Sequence, residues 1–480
     1  MYDVAIIGGG VVGGMLARML SSYKLNICIL EKENDVAMGA SKANSAIVHA
    51  GFDAAPGTLK AKLNVKGSEM MEQTAKELGV KFKRNGSLVV GFNAADKKKI
   101  EELYARGIKN GVKELSILGM NALHEIEPNI SPDAVCALYA PTGAIVCPYA
   151  LTIAAIGNAM DNGADLRVNF EVTAIHKTGA AFAIISSNGD RINTKYVVNA
   201  AGINADAVAA MAGKTEIKIH PRRGEYVLLD KTSGGIVSHT IFRTPSAMGK
   251  GILVTPTVDG NLLLGPTADN IEDKNDTATT ADGLSTILAR CTETTKGIHA
   301  RDTITSFCGL RAVGNTGDFI IQATTEHFIN AAGIESPGLS ASPAIAAYIT
   351  EMLRDMGLEL TKNENFNPIR KPAHRFREAS VAEKNRMIME NRSFGRIICR
   401  CEGVSEGEIR EAIRTNPPAR DLDGVKRRTR AQMGRCQGGF CMPYIMEILS
   451  EELGVPYDSI TKNGGNSKLM TGKTKEGCTI

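Results

Sequence analysis

The chain opens on four apolar positions, Val4 to Ile7, that stop at Gly8. A short apolar run broken by glycine predicts a buried strand and a turn. Small and aliphatic residues from Val11 to Leu20 then predict a helix. A second apolar run, Ile27 to Leu30, predicts another buried strand and ends at the charged Glu31. Strand, turn, helix and strand follow one another directly.

The pattern changes after Glu31. Residues 36–66 mix polar and glycine positions into the apolar ones and read as loop, with room for one short helix. Met70, Met71, Ala75 and Leu78 give residues 67–79 helical spacing. Phe82 and Ser87 to Phe92 read as strands, and 96–111 as a charged helix with a solvated face. Residues 134–148 read as two strands around a turn, with Cys136 and Cys147 at core positions, and 149–162 as a helix. Residues 166–198 alternate as an antiparallel meander with a turn at 187–190. It leads into Tyr196–Gly202, a buried strand ending at a glycine. Residues 216–268 return to strands, with a hairpin signal at Val258-Asp-Gly-Asn261. A helix is expected at 279–291, and the stretch from Phe328 to Leu353 reads as strand, glycine–proline loop and helix. That last unit returns the chain to its first sheet.

The end of the chain differs in texture. Residues 361–395 are basic and irregular, with Pro368 and Pro372, and read as an interdomain connection. Residues 396–463 form a small, helix-patterned unit, and 464–480 a polar tail expected to be mobile. Cys478 in that tail reads as incidental. No internal repeat is present.

At 480 residues, more than one domain is expected. The net charge of +4 is too small to argue for nucleic acid or a membrane surface. No apolar run approaches the roughly 18 residues of a transmembrane segment, and the N-terminus opens directly into a strand, without a leader pattern. Ten cysteines without secretion signals argue for reduced thiols or a metal centre, hence a cytoplasmic protein.

The first turn carries chemistry. Gly8, Gly10 and Gly13 stand in G-x-G-x-x-G spacing between strand and helix. Gly8 allows the tight turn, Gly10 lets backbone approach a pyrophosphate, and Gly13 brings helix close to strand. The pyrophosphate then meets unpaired N–H groups at a helix N-terminus. Glu31 lies 18 residues beyond Gly13, where a carboxylate can hold ribose hydroxyls. The unit predicts an adenine dinucleotide. Its place at the start of the chain suits FAD. The end of the Tyr196–Gly202 strand would lie beside that cofactor.

Cys399, Cys401, Cys436 and Cys441 form two close pairs. Zinc pairs usually sit at C-x2–4-C spacing, which C-x-C fits poorly, whereas a [2Fe–2S] cluster takes four thiolates. An iron–sulfur centre is the first reading, and zinc or no metal are the alternatives. Gly438 and Gly439 would offer N–H donors to sulfur. Lys426 to Arg430, with Arg400 and Arg435, would offset the negative charge of the centre.

With these residues in hand, the chain resembles a known family. Residues 1 to about 360 resemble the FAD-dependent oxidoreductases of the D-amino-acid oxidase superfamily, nearest to glycerol-3-phosphate dehydrogenases and L-2-hydroxyglutarate oxidases. The resemblance is carried by GGGVVGG (8–14), ASKANSAIVHAGFD (40–53), NAAG (199–202), RRGEY (222–226), GLR (309–311) with DFI (318–320), and GIESPGLSASPAIA (333–346). RRTRAQMGRCQGGFC (427–441) is similar to the ferredoxin-like domain named after the bacterioferritin-associated ferredoxin.

The resemblance implies an α/β fold. A Rossmann-like FAD-binding domain would be drawn from about 1–66, 149–215 and 315–360. An inserted antiparallel β-sheet substrate domain would come from about 67–148 and 216–314. A linker at 361–395, a small mostly helical [2Fe–2S] domain at 396–463 and the tail at 464–480 would follow. It also implies FAD contacts at Lys32, Ser41, Asn44, Ser45, Val172, Ala201, Gly202, Gly309, Gly333, Ser336, Pro337, Gly338 and Leu339. Arg311 would grip an anionic substrate. Arg223 and Glu225 would face the substrate cavity. His49 is the candidate base, with Glu225 and His220 behind it. The expected reaction is oxidation of a small anionic secondary alcohol. Glycerol 3-phosphate is the first choice and 2-hydroxyglutarate the alternative. Electrons would pass through the cluster to a separate acceptor protein or flavoprotein subunit. A non-catalytic electron-transfer subunit is the remaining alternative.

Overall fold

The computed structural model describes residues 1–245 and 251–472. Cys478 lies outside the described residues. The Tyr2–Ile7 strand pairs in parallel with Ile27–Leu30 on one side and Arg191–Asn199 on the other. These join an eight-stranded sheet that also holds the Val172–Thr178, Ala181–Ser186 and Phe328–Ala332 strands. All four residues of Ile27–Leu30 are buried, as a central strand covered on both faces requires. The helix Val11–Leu20 packs against Pro148–Asp161 and Gly338–Asp355. Gly14 permits that approach, since a Cβ there would press on Ile156.

A second, nine-stranded sheet stands over this core. Its long edge pair is Ile219–Leu229 and Thr303–Gly314, with Arg222 opposite Arg311, Gly224 opposite Gly309 and Tyr226 opposite Phe307. The Leu253–Pro256 and Leu262–Gly265 strands form the expected hairpin. The third unit has its own core of Ile398, Val404, Ile409, Leu422, Val425, Ile445 and Leu449. Among the described residues, no helix is long and apolar enough to cross a membrane.

Three expectations need correction. The helix expected from residue 67 starts at Leu59 and runs to Glu77. Its N-terminus is capped by Thr58 and by the distant Asp318, whose carboxylate accepts from the Leu59 and Lys60 N–H groups at 2.7 and 2.9 Å. The two strands expected around a turn are present as Cys136–Ala140 and Ala144–Val146, and they join different sheets: the first pairs with Ser87–Gly91, the second with Ile47–Val48 and Phe82–Lys83. Asp165–Arg167 lies outside the meander and pairs in parallel with Ile27–Leu30. The stretch 361–395 is built in rather than irregular throughout. It carries the helix Val381–Glu390 behind a Ser380/Glu383 capping box. Its Arg370 donates to the Ile153 and Ala154 carbonyls at 3.2 and 3.0 Å.

Candidate active site and cysteine centre

The glycine turn has the shape a dinucleotide needs. Gly8 adopts φ +116°, and a Cβ there would overlap the Ala200 carbonyl. A Cβ on Gly13 would overlap the Gly8 carbonyl oxygen. Gly10 caps the first helix without a side-chain hydrogen bond, and the first turn carries no acid. Glu31 accepts from the Gly9 and Glu33 N–H groups at 2.7 and 3.0 Å. Burial pushes its carboxyl up, and those two donors oppose the rise. Ser41 Oγ accepts from the Val11 N–H at 2.9 Å, so loop and helix meet at the same point.

A second helix N-terminus completes the cradle. Gly338–Asp355 begins behind Pro337 with no side-chain cap and no acid in its first turn. Gly333, at φ +62°, lies against Gly314. Two helix ends among glycines, neither with an acid in its first turn nor a side-chain bond from its own N-cap residue, suit a ligand that is both negatively charged and held by backbone. The residues present therefore fit FAD.

Other expected contacts fall into groups. Asn44 folds its own loop, donating to Ala40 and Ser41 carbonyls and accepting from the Ala46 N–H. Gly309 packs on Ala43, where a Cβ would overlap the carbonyl. Ala201 N–H donates to Asn199 Oδ1, and Gly202 opens a short turn at the strand end. Leu339 packs at the edge of the main core. Val172 is buried beside Phe170 and Leu30. Lys32 is exposed and pairs with Glu33 at 2.6 Å.

The face of the second sheet that carries Arg311 gathers polar side chains toward the Ser41–His49 loop. Arg311 Nη2 donates to the Thr267 carbonyl at 3.1 Å, and Gly224, diagonal to it on the paired strand, leaves room for the guanidinium. Tyr226, stacked on Phe307 at 4.8 Å, places its hydroxyl 3.2 Å from Ser45 Oγ. Burial pushes the Tyr226 phenol up, so it stays a neutral donor. Sequence reasoning missed Tyr226, although it closes the RRGEY stretch. Side-chain alternation is what places it with Arg311. His49 Nε2 lies 3.3 Å from Ser336 Oγ, and the His49 backbone N–H donates to Ser340 Oγ at 2.7 Å. The loop from Ser41 to His49 thus touches the first helix, Tyr226 and the second cradle.

Two expected side chains point elsewhere. Glu225 is fully buried on the opposite face of its strand, where it accepts from Thr280 N–H at 2.7 Å and Thr280 Oγ1 at 3.0 Å. It anchors the N-terminus of the Ala281–Thr294 helix, and Arg223 turns the same way, to Asp276 at 3.0 Å. Neither reaches the Arg311 face, because residues two apart share a face and neighbours do not. His220 is exposed at the strand's start. Glu225→Gln is accordingly expected to lower stability by about 2 kcal/mol through the lost charge-assisted bonds. Thermal unfolding should show the loss, with turnover within twofold of wild type. A hundredfold fall in turnover at unchanged stability would return Glu225 to the reaction.

The four cysteines do converge. Cys399 and Cys401 sulfurs are 3.7 Å apart, and Cys401 and Cys436 sulfurs 3.9 Å, while Cys441 is the neighbour that most raises the Cys399 thiol. The sulfurs form a string, and among the described residues no three such donors close around one ion position. A string suits two irons with two thiolates each better than one tetrahedral zinc. Burial, then neighbouring Cys399, pushes the Cys401 thiol up to about 12. Burial works against Cys436 too, but the Gly438 and Phe440 N–H groups hold it below its usual range. The donor chemistry fits a cluster.

The basic run is otherwise employed. Arg427 Nη2 meets Asp35 Oδ2 at 2.5 Å, and Arg428 grips both oxygens of Asp35 at 2.7 and 2.8 Å. Arg430 bonds Asp259 and Glu402 at 2.8 and 3.1 Å, and Arg435 pairs with Asp230 at 3.2 Å. These charges lock the cysteine unit onto the other two sheets. They do not serve chiefly to neutralise the centre, as expected from sequence.

Comparison with known proteins agrees with this geometry. The family described as FAD dependent oxidoreductase matches residues 3–352, and the BFD-like [2Fe-2S] binding domain matches 397–451. The chain is 50% identical to a glycerol 3-phosphate dehydrogenase of Caloramator mitchellensis over 99% of both chains. An L-2-hydroxyglutarate dehydrogenase of Nematostella vectensis is 33% identical over 56% of this chain and 62% of its own. Among solved structures, the dithionite-reduced L-alpha-glycerophosphate oxidase of Mycoplasma pneumoniae with FAD bound superposes with a TM-score of 0.73. It is 32% identical and covers 77% of this chain and 98% of its own.

Proposed function

The chain belongs to the FAD dependent oxidoreductase family and carries a BFD-like [2Fe-2S] domain, and from that premise we propose that it oxidises sn-glycerol 3-phosphate to dihydroxyacetone phosphate. The observation that carries the reading is the 50% identity, through the cysteine domain as well, to a glycerol 3-phosphate dehydrogenase. The match to the hydroxyglutarate enzyme stops at 56% of the chain.

FAD, when bound, supplies the two-electron acceptor, and the cluster a one-electron carrier. Orientation and proton transfer fall to the side chains. Arg311 holds the phosphate, with Gly224 giving it room and Thr267 fixing its fork. His49 Nε2 takes the proton of the substrate hydroxyl, steadied by Ser336. Tyr226 and Ser45 hold the substrate oxygen by hydrogen bonds at the same face. Electrons leave for a separate protein from the side of Cys401, which is exposed; Phe440, whose N–H faces Cys436, is 80% exposed. The enzyme works in the cytoplasm, or against a membrane through that partner.

Anaerobic addition of glycerol 3-phosphate should bleach the flavin absorbance within seconds, and 2-hydroxyglutarate should leave it unchanged. Bleaching by the hydroxy acid alone would transfer the enzyme to that substrate. Bleaching only by a reduced protein would make the chain an electron relay.

A further inference from the structure

Residues 31–42 have two sides. On one, Glu31 accepts from Gly9 N–H, Ala37 N–H donates to the Gly9 carbonyl at 2.9 Å, and Ser41 accepts from Val11 N–H. These bonds set the glycine turn. On the other, Asp35 is only 5% exposed and is held by both Arg427 and Arg428 of the cluster domain. Asn34 Nδ2 donates to Asp421, and Gly464 packs on Asn34. One short segment therefore forms part of the dinucleotide cradle and the seat of the cluster domain.

We propose that the cluster domain is a structural part of the FAD site, with its docking on Asp35 and FAD binding stabilising one another through residues 31–42. The inference rests on the FAD reading above. A surface segment left alone is mobile and must be ordered when a ligand binds. Here the two arginines hold it ordered beforehand, so FAD does not bear that cost. Arg427 is itself 7% exposed, and removing one partner of a buried ion pair leaves charge stranded on the other. Loss of Asp35 therefore releases the segment rather than merely weakening one contact. Linkage is reciprocal, so FAD must tighten the docking by the factor by which docking tightens FAD.

The test uses the full chain. Apoprotein is titrated with FAD by fluorescence quenching, and visible absorbance of the cysteine centre reports that its domain is folded. Asp35→Asn should raise the FAD Kd at least tenfold with the centre retained. Arg428→Lys keeps the charge but loses the two-pronged grip, and should raise it about threefold. In the unaltered protein, removing FAD should speed tryptic cleavage within 361–395 about tenfold. That arm decides the matter even if Asp35→Asn fails to fold. An FAD Kd within twofold of wild type in Asp35→Asn, or a cleavage rate indifferent to FAD, overturns the linkage alone. An unaltered chain that takes up no FAD would sink the function proposed above and the linkage with it.

Discussion

Arg311→Met is expected to lower kcat/KM for glycerol 3-phosphate by about a thousandfold. Methionine keeps most of the volume but removes a half-buried guanidinium. Its fork is set by one bond to Thr267 and by the space over Gly224. An anion held there loses two charge-assisted bonds in a partly desolvated place, about 4 kcal/mol in all. The phosphate is gripped equally before and during reaction, so KM should carry most of the loss and kcat the smaller share. Arg311→Lys should recover only part, because an ammonium cannot copy the planar fork. Steady-state rates with a small-molecule acceptor measure both constants without involving the partner protein. A loss below tenfold would mean that the phosphate is held elsewhere.

What the sequence disclosed about this site follows from how local each feature is. The glycine turn was legible because strand, turn, helix and Glu31 are contiguous, and the physics of the turn is written in three glycines. The cysteine pairs were legible for the same reason. Glu225 was misplaced because its role depends on a helix more than fifty residues further along, whose Thr280 it anchors. The start of the Leu59–Glu77 helix was missed because half of its cap comes from Asp318. The basic run at Lys426–Arg430 was assigned to the cysteine pairs that flank it in sequence. Its partners Asp35 and Asp259 are 392 and 171 residues away, and no local pattern marks them. Tyr226 needed the strand register, which the alternation of its strand allowed but did not fix without Phe307 opposite.

Gly434→Ala is expected to cost the protein its cluster while leaving every ligand in place. The backbone of Gly434 is not in the left-handed region, so alanine meets no conformational penalty there. The obstacle is space. A Cβ would overlap Cys401 Sγ and lie 2.9 Å from Cys401 Cβ. Cys401 has little room to retreat, with Cys399 and Cys436 sulfurs at 3.7 and 3.9 Å. The loop is equally fixed, since Gln437 N–H and its side-chain amide both donate to the Gly434 carbonyl at 2.9 Å. One ligand must therefore shift, and thiolate ligation tolerates only a few tenths of an ångström. The variant should keep its flavin absorbance and its bleaching by substrate. It should lose most of its iron, and electron delivery to a protein acceptor should fall at least a hundredfold. Gly439→Ala is the control, because its Cβ would meet nothing closer than the Cys436 carbonyl at 3.3 Å. It should retain iron. Full iron content in Gly434→Ala would show that the cysteine string is not the site of the cluster. Equal loss in both variants would show that the whole loop, rather than the space beside Cys401, decides assembly.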